Sequence, residues 1–332
     1  MLLRLLLPVL AAALMAFLTA CAPGEGQPRV VRIGIGFNDQ MPQYKALEAF
    51  KEHLEAAAGE RFRVELYHSG QLGDDRSMME ALRMGNQEMT CPATAPVTGF
   101  VREFQVLDLP YLFPSFEVMH EVLDGPLGRD LLDKLDGVGL RGLVFLPEGF
   151  RSLTNNRRPV RHPDDMRGLR IRTMENRLHM QAFREWGANP TSMAFSEIFS
   201  ALEQGVVDGQ ENPPAVPWNS NFHEVQRYFS HTEHFAAPYV LMVSGRFWNR
   251  LSEEEKGHFE AAARAAYEAH REIVEAGERE VLDNLRRVME FVDLDEADRR
   301  AFFEAAAPVY EQARRNLGDD FVNRFIEAAG HR

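Results

Sequence analysis

Residues 168–213 read GLRIRTMENRLHMQAFREWGANPTSMAFSEIFSALEQGVVDGQENP. The pattern changes several times within this stretch. Residues 169–173 (LRIRT) alternate apolar and charged, which is the period-2 signature of a strand. Residues 178–186 follow as a helix closed by Gly187. Ser196 opens another helix, carrying Ile198, Phe199 and Leu202, with Gly205 at its C-terminal cap. Val206 and Val207 then read as a very short strand. It runs directly into Asp208, Gly209, Gln210, Glu211, Asn212 and Pro213, a polar turn framed by glycine and proline.

The same alternation continues outward. Residues 30–37 (VVRIGIGF) and 62–67 (FRVELY) are strands by their branched residues. Between them, 42–58 is a helix with Tyr44, Leu47, Phe50 and Leu54 on one stripe. A helix from 74 to 84 stops at Gly85. Residues 140–146 and 239–244 (YVLMVS) are further strands, and 252–289 is one long helical pattern rich in Ala, Glu and Arg. Strand and helix in alternation build a parallel α/β layer. At 332 residues the chain exceeds one ordinary core, so two lobes are expected.

Composition narrows the class. Hydrophobic residues make up 45% and charged residues 26%, the balance of a globular protein. The net charge of -13 disfavours a nucleic-acid partner, because phosphate binding needs a basic face. It still permits an anionic small ligand, since clustered arginines make a local positive cleft.

The first 21 residues, MLLRLLLPVLAAALMAFLTAC, read as a leader that ends before Cys21. Arg4 is its positive region and 5–18 its apolar run, too short to span a bilayer comfortably. Residues 1–20 are therefore expected to be a signal peptide. The end, Leu18-Thr19-Ala20-Cys21, resembles a lipobox, which makes Cys21 the lipidated first residue and 21–28 a tether. Cys91 is then the second of only two cysteines, so no disulfide or cysteine metal site can form. A buried inert thiol is expected there.

Motifs for other chemistries are weak. Gly34-Ile35-Gly36 follows the first strand, but Asp39 stands where a dinucleotide fingerprint needs glycine. No Walker loop and no Gly-x-Ser-x-Gly elbow occurs. His231, Glu233 and His234 lack the i, i+4 geometry of a helical zinc pair and read as ordinary surface or core residues. No cofactor is expected.

Seven arginines lie between 149 and 173, and a charge-rich loop is usually solvated. Two stand out. Arg151 follows a strand and the turn 147–150 (PEGF). Arg172 sits near the carboxyl end of LRIRT, where open α/β sheets bind ligands. Alternation turns Leu169 and Ile171 to the core and Arg170 and Arg172 away from it. Arginine's planar fork matches a carboxylate with two parallel bonds. Asn212 offers an acceptor and two donors at a second such strand end. For each of these residues a purely structural role is equally open.

Residues 168–213 resemble the central signature of the DctP-type substrate-binding proteins of TRAP (tripartite ATP-independent periplasmic) transporters. GQLGDDRSM at 70–78, EGFRSLTNNRRPV at 148–160 and FHEVQRYFSHTEH at 222–234 support it, and the likeness runs from about Val30 to Ile326. The resemblance implies a two-lobed α/β periplasmic-binding-protein clamshell with mixed sheets and a long helix crossing both lobes. The lobes would be 29–148 with 238–277, and 149–237 with 278–332. The implied role is capture of a small organic acid for an ion-gradient-driven permease in the membrane. Arg172 would pair with the ligand carboxylate and Arg151 would assist. Phe195 would pack on the ligand, Asn212 would hydrogen-bond it, and Asp75 would line the opposite lobe, with Asp208 and Glu211 shaping the wall. Sialate-binding members are acidic where this chain has Ala93 and polar at 237–239, and uronate binders often read GAEN at 209–212. Those departures point to a smaller or less polar acid. The implied protein is a monomer in the periplasm, tethered by its lipid. A sensory subunit presenting ligand to a receptor kinase is an alternative. An extracytoplasmic enzyme is another, although no nucleophile and base are paired in the sequence.

Overall fold

The computed structural model describes residues 27–330. The signal segment 1–20, Cys21 and most of the tether 21–28 lie outside the described residues.

The strands are β1 (Arg29–Gly34), β2 (Phe62–Tyr67), β3 (Met89–Thr90), β4 (Leu140–Asn155), β5 (Arg170–Thr173), β6 (Asn189–Ser192), β7 (Gly209–Asn212), β8 (Tyr228–Ser244) and β9 (Glu290–Asp293). They form a mixed sheet in the order β2-β1-β3-β8-β4-β7-β5-β6, with β9 on the other edge of β8. At one end β1 runs parallel to β2 and β3. At the other, β5 runs parallel to β6 and β7. The antiparallel pair β4 and β8 runs through both ends. These two long strands make one connected sheet out of a two-lobed clamshell.

The pairing of β4 with β8 slips where the two ends meet. Pro147 faces Pro238, and the next pair is Phe150 with Ala236. The two prolines cannot donate to a ladder, and Gly149 has φ +101° in the bulge. The segment 147–150, expected to be a turn that ends a strand, is thus an irregularity inside one continuous strand. β8 likewise begins at Tyr228, eleven residues before the start at 239 expected from YVLMVS.

Helix α1 (Pro42–Ala58) buries Ala46, Leu47, Phe50 and Leu54 at helical spacing. Helix α2 (Asp75–Met84) starts at Asp74, whose side chain accepts from Ser77 N at 2.7 Å, and ends at Gly85 with φ +81°. Helix α3 (Arg177–Glu185) is capped by Asn176. The long helix α4 (Glu253–Val288) opens on a Ser252/Glu255 capping box. Acidic residues fill its first turn and arginines its last, which suits the helix dipole. At 36 residues it extends about 54 Å and packs on α1, β4 and β9, so it crosses both ends of the sheet.

Residues 206–212 fold differently from the expectation. Val206 and Val207 form no strand; the strand is Gly209–Asn212 itself, and all four of its residues are buried. Gly209 is required there, because a Cβ would stand 2.1 Å from the Thr154 carbonyl oxygen of β4. Gln210 donates to Thr154 Oγ1 at 3.0 Å, and Glu211 is met by Arg151. Polar partners from β4 thus make a polar sequence into an interior strand.

Candidate functional site

A cavity of about 510 Å³ opens between the two ends of the sheet. Phe37, Asp75 and Ala93 line it from the β1–β3 end. Arg172, Met174, Met193, Phe195 and Asn212 line it from the β5–β7 end, and Tyr239 of β8 lies between. Four of the residues singled out in the sequence, Arg172, Asn212, Phe195 and Asp75, therefore meet in one space.

Arg172 is 3% exposed. Its strand β5 pairs on both edges, Arg172 lying opposite Gln210 and Thr191, so its backbone is fixed. Its Nε and Nη2 both donate to the Met193 carbonyl, at 3.1 and 2.8 Å. Nη1 is buried with no partner. Burial pushes its pKa down to about 10, against the opposing pull of Glu211. The free Nη1–Nη2 edge is a fork for an anion. Arg170, two residues earlier, is solvent-facing and binds Asp208 through Nε at 3.1 Å and Nη2 at 2.8 Å. Alternation therefore fails after Arg170: Ile171, Arg172 and Thr173 are all buried.

Asn212 ends β7. Its side-chain oxygen accepts from Arg151 at 3.0 Å, and its amide donates once to Gln210, leaving one N–H for the cavity. Phe195 stands edge-on to Phe37 with centroids 4.6 Å apart, and Phe37 meets Tyr239 at 5.5 Å. Together the three rings make an aromatic wall. Asp75, the first residue of α2, accepts the Ala93 N–H on Oδ2 at 3.3 Å. Burial pushes its carboxyl up to about 6, although the Ala93 N–H opposes the rise.

Arg151 is placed elsewhere. It is 1% exposed and lies behind the wall, against a small void shared with His179, Ala236 and Tyr239. Its Nε donates to Glu211 Oε2 at 2.5 Å, and its Nη2 to Glu211 Oε1 at 3.0 Å and to the Glu211 carbonyl at 2.7 Å. Burial alone would raise the Glu211 carboxyl, but Arg151 and the nearby His234 hold it far below the usual carboxylate range. Neither Glu211 nor Asp208 is among the cavity-lining residues; one is bound to Arg151 and the other to Arg170.

Sequence reasoning passed over three more residues. Tyr239 lines the cavity, with its hydroxyl buried beside Glu148. Behind it, Glu148 is 5% exposed and accepts a hydrogen bond from Gln43 of α1. Burial pushes Glu148 up to about 7, while Gln43, Tyr239 and Arg151 pull it down. The Pro147-Glu148-Gly149 bulge was the available signal, since an acid locked between proline and glycine in a strand has to be placed by something. Cys91 is buried, and burial raises its thiol pKa. His231 lies 3.6 Å from Glu233, and His234 bonds Thr232. Among the described residues no group of three or more His, Cys, Asp or Glu is placed to hold a metal ion. No helix among them is long and apolar enough to cross a membrane.

A buried cation with a free edge, an aromatic wall and a neutral amide make a receptor for a small anion. Comparison with known proteins agrees. Residues 33–316 match the family model DctP, bacterial extracellular solute-binding protein, family 7. The C4-dicarboxylate-binding periplasmic protein DctP of Rhodobacter capsulatus is 31% identical over 325 residues, 97% of each chain. The sugar acid binding protein of Advenella mimigardefordensis, solved with galactonate, superposes with a TM-score of 0.88 at 35% identity, covering 91% of this chain and 98% of that one. A TRAP periplasmic solute-binding protein of Polaromonas, bound to D-erythronate, gives 0.87 at 36% identity, with 90% and 98% covered. With nearly the whole cavity and fold inside the matched span, the chain belongs to the DctP family of bacterial extracellular solute-binding proteins.

Proposed function

We propose that this protein captures a small organic acid outside the cytoplasm, holding its carboxylate on Arg172, and delivers it to a TRAP permease. The observation that carries the reading is the unpartnered Nη1 of a 3%-exposed arginine facing a cavity. A buried guanidinium without a counter-ion is costly. Arg151 already has Glu211, so Arg172 is the cation that a ligand anion would complete. Relatives that bind galactonate, D-erythronate and C4-dicarboxylates support an acid as the ligand class. Phe195 packs on the ligand, Asn212 donates to it, and Asp75 faces it from across the cavity. Arg151 acts through Asn212 and Glu211 instead of touching the ligand.

The lobes of this reading are 29–148 with 238–277, and 149–237 with 278–332. Their boundary is the register slip between Pro147–Pro238 and Phe150–Ala236. The working form is a monomer, tethered in the periplasm by lipid on Cys21, and it has no enzymatic activity. Screening organic acids by thermal shift finds the ligand, because ligand at 100 times its dissociation constant stabilises by about 2.7 kcal/mol. No stabilising acid in the screen, or a ligand recovered chemically altered, overturns the binding role. Uptake with the partner permease should collapse when the ion gradient is discharged. Intact mass of the processed protein reads the lipid directly, and an unmodified Cys21 removes the tether.

A further inference from the structure

Capture of an anion on Arg172 leaves one buried acid, Glu148, without a task. It stands in the bulge at the lobe boundary and is 5% exposed. The groups that touch it are uncharged: Gln43 of α1 donates to its Oε2, and the Tyr239 hydroxyl lies beside the carboxyl. Arg151 attracts it, but that guanidinium is already paired with Glu211 at 2.5 Å.

Other ionisable groups surround the same place. Cys91, just after β3, is close enough for the charges of Asp75 and Glu148 to act on its thiol. Glu148, Arg151 and Asp75 act on Tyr239, and Tyr239 in turn acts on Arg172. Glu278 of α4 comes within 3.9 Å of where a Gly149 side chain would begin. His234 stands 3.4 Å from Glu211, and its own burial lowers its pKa.

Charge balance decides what happens when an acid arrives. Two buried guanidiniums, Arg151 and Arg172, face two buried carboxyls, Glu148 and Glu211. Asp75 is only half-buried, and the Ala93 N–H helps to hold its charge. A ligand carboxylate on Arg172 adds a third buried anion to two cations. Glu211 keeps its charge, because Arg151 holds both of its oxygens, at 2.5 and 3.0 Å. Glu148 has no such bond, so its charge is the one that costs least to remove. We propose that Glu148 takes up a proton from solvent when an acid binds on Arg172, so that ligand capture is coupled to proton uptake. The coupling rests on the Arg172 anchor.

The direction of the effect is fixed by where Glu148 starts. In the empty protein burial pushes it up to about 7. A ligand anion on the other side of Tyr239 raises it further. Below pH 7 both forms hold the proton and affinity is constant. Above pH 7 the empty protein has lost a proton that the complex keeps. Affinity then falls by up to about tenfold per pH unit, until the complex releases the proton too.

The test is calorimetric titration of the purified protein with D-erythronate, galactonate and succinate, each ionised throughout the range used. For the acid that binds tightest, affinity should fall by about threefold to tenfold from pH 6.5 to pH 8. Titration at pH 7.5 in phosphate and in Tris, buffers of different ionisation heat, should show net proton uptake. Glu148→Gln should bind with a flat pH profile and no uptake. Gln43→Leu keeps the acid but removes its amide donor, so the fall should move to higher pH by about one unit. A wild-type affinity that does not change with pH overturns the proposal, as does net proton release. So does a wild-type slope in folded Glu148→Gln, which would pass the proton to Asp75 or another group. Where Glu148→Gln does not fold, Gln43→Leu decides, and an unmoved profile overturns the proposal. The anchor is read separately. Binding without pH dependence removes only the coupling, whereas no binding of any of the three acids removes the coupling together with the anchor.

Discussion

Arg172 gives its Nε and Nη2 to a single acceptor, the carbonyl of Met193, at 3.1 and 2.8 Å. The bond locks the guanidinium plane while leaving Nη1 and one Nη2 hydrogen unspent. A lysine could neither be held this way nor offer an edge. Removing one partner of a buried charged pair costs about 2–5 kcal/mol. Arg172→Ala should therefore weaken ligand binding by roughly thirty- to several-thousand-fold. Arg172→Lys should recover little of it, since the fork is lost. Calorimetric titration checks both, and near-wild-type affinity in Arg172→Ala would remove the anchor.

Arg170 supplies the matched control. It lies on the same strand, but it is exposed and paired with Asp208, and neither residue lines the cavity. Arg170→Ala should leave affinity within about fivefold of wild type, the reach of a surface ion pair. Loss of binding in this variant alone would mean that strand β5 presents the wrong face to the cavity.

The pair Arg151 and Glu211 should act on stability first. Both are almost wholly buried, at 1% and 0% side-chain exposure. Truncating either leaves a buried charge alone, at a cost of about 3–5 kcal/mol. Glu211→Ala and Arg151→Ala should each lower the denaturation midpoint strongly. The double replacement Arg151→Met with Glu211→Leu should cost less than either single change, because neither charge is then stranded. Chemical denaturation of the three variants checks this. A double variant less stable than both singles would contradict it.

How much of this was legible in the sequence depends on which force places a residue. The helices α1 and α4 announce themselves, since apolar spacing at Leu47, Phe50 and Leu54 and the Ser252/Glu255 box are local signals. Arg172, Phe195, Asn212 and Asp75 could be named from motif and strand position. The strand Gly209–Asn212 could not be read, because its residues have poor strand propensity and are held by Arg151 and Thr154, some sixty residues away. The burial of Arg151 against Glu211 could not be read for the same reason. An arginine near a strand end looks like a ligand contact until its carboxylate partner is known. Glu148 comes to lie behind the cavity only through the slipped pairing of two long strands, which no local pattern encodes.

Glu148 should make stability depend on pH. Its pKa is pushed up to about 7 by burial, from an ordinary value near 4.5. The folded state therefore binds more protons than the unfolded chain between those two values. Stability falls as pH rises through that window, and the penalty is complete above pH 7. Glu148→Gln keeps the shape and removes the titration. The variant should be close to wild type near pH 4.5 and more stable at pH 8, by on the order of 1–3 kcal/mol. Melting curves of both proteins from pH 4.5 to 8 check the sign. A variant less stable than wild type at pH 8 would show that the Glu148 charge is needed by its neighbours.

Closure of the clamshell is the last expectation, and magnitudes decide what drives it. Arg76 and Glu175 meet at 3.0 Å at the cavity edge, and Asn38 donates to the Asn219 carbonyl at 3.0 Å across the same gap. The ion pair is exposed on both sides, 46% and 61%, so it supplies at most about 1 kcal/mol. Such a latch cannot hold two lobes shut by itself. A ligand bridging Arg172 and Asp75 gains charge-assisted bonds worth about 1.5–3 kcal/mol each, which is enough to shift an open–closed equilibrium several tens-fold. Small-angle scattering should therefore show a smaller radius of gyration when the ligand found by screening is added. Arg172→Ala should show no such change at the same concentration. Glu175→Ala should still close, with affinity reduced by no more than about fivefold and the loss expressed as faster release. An Arg172→Ala protein that contracts on ligand addition, or a Glu175→Ala protein that no longer does, would move the driving force from the ligand to the latch.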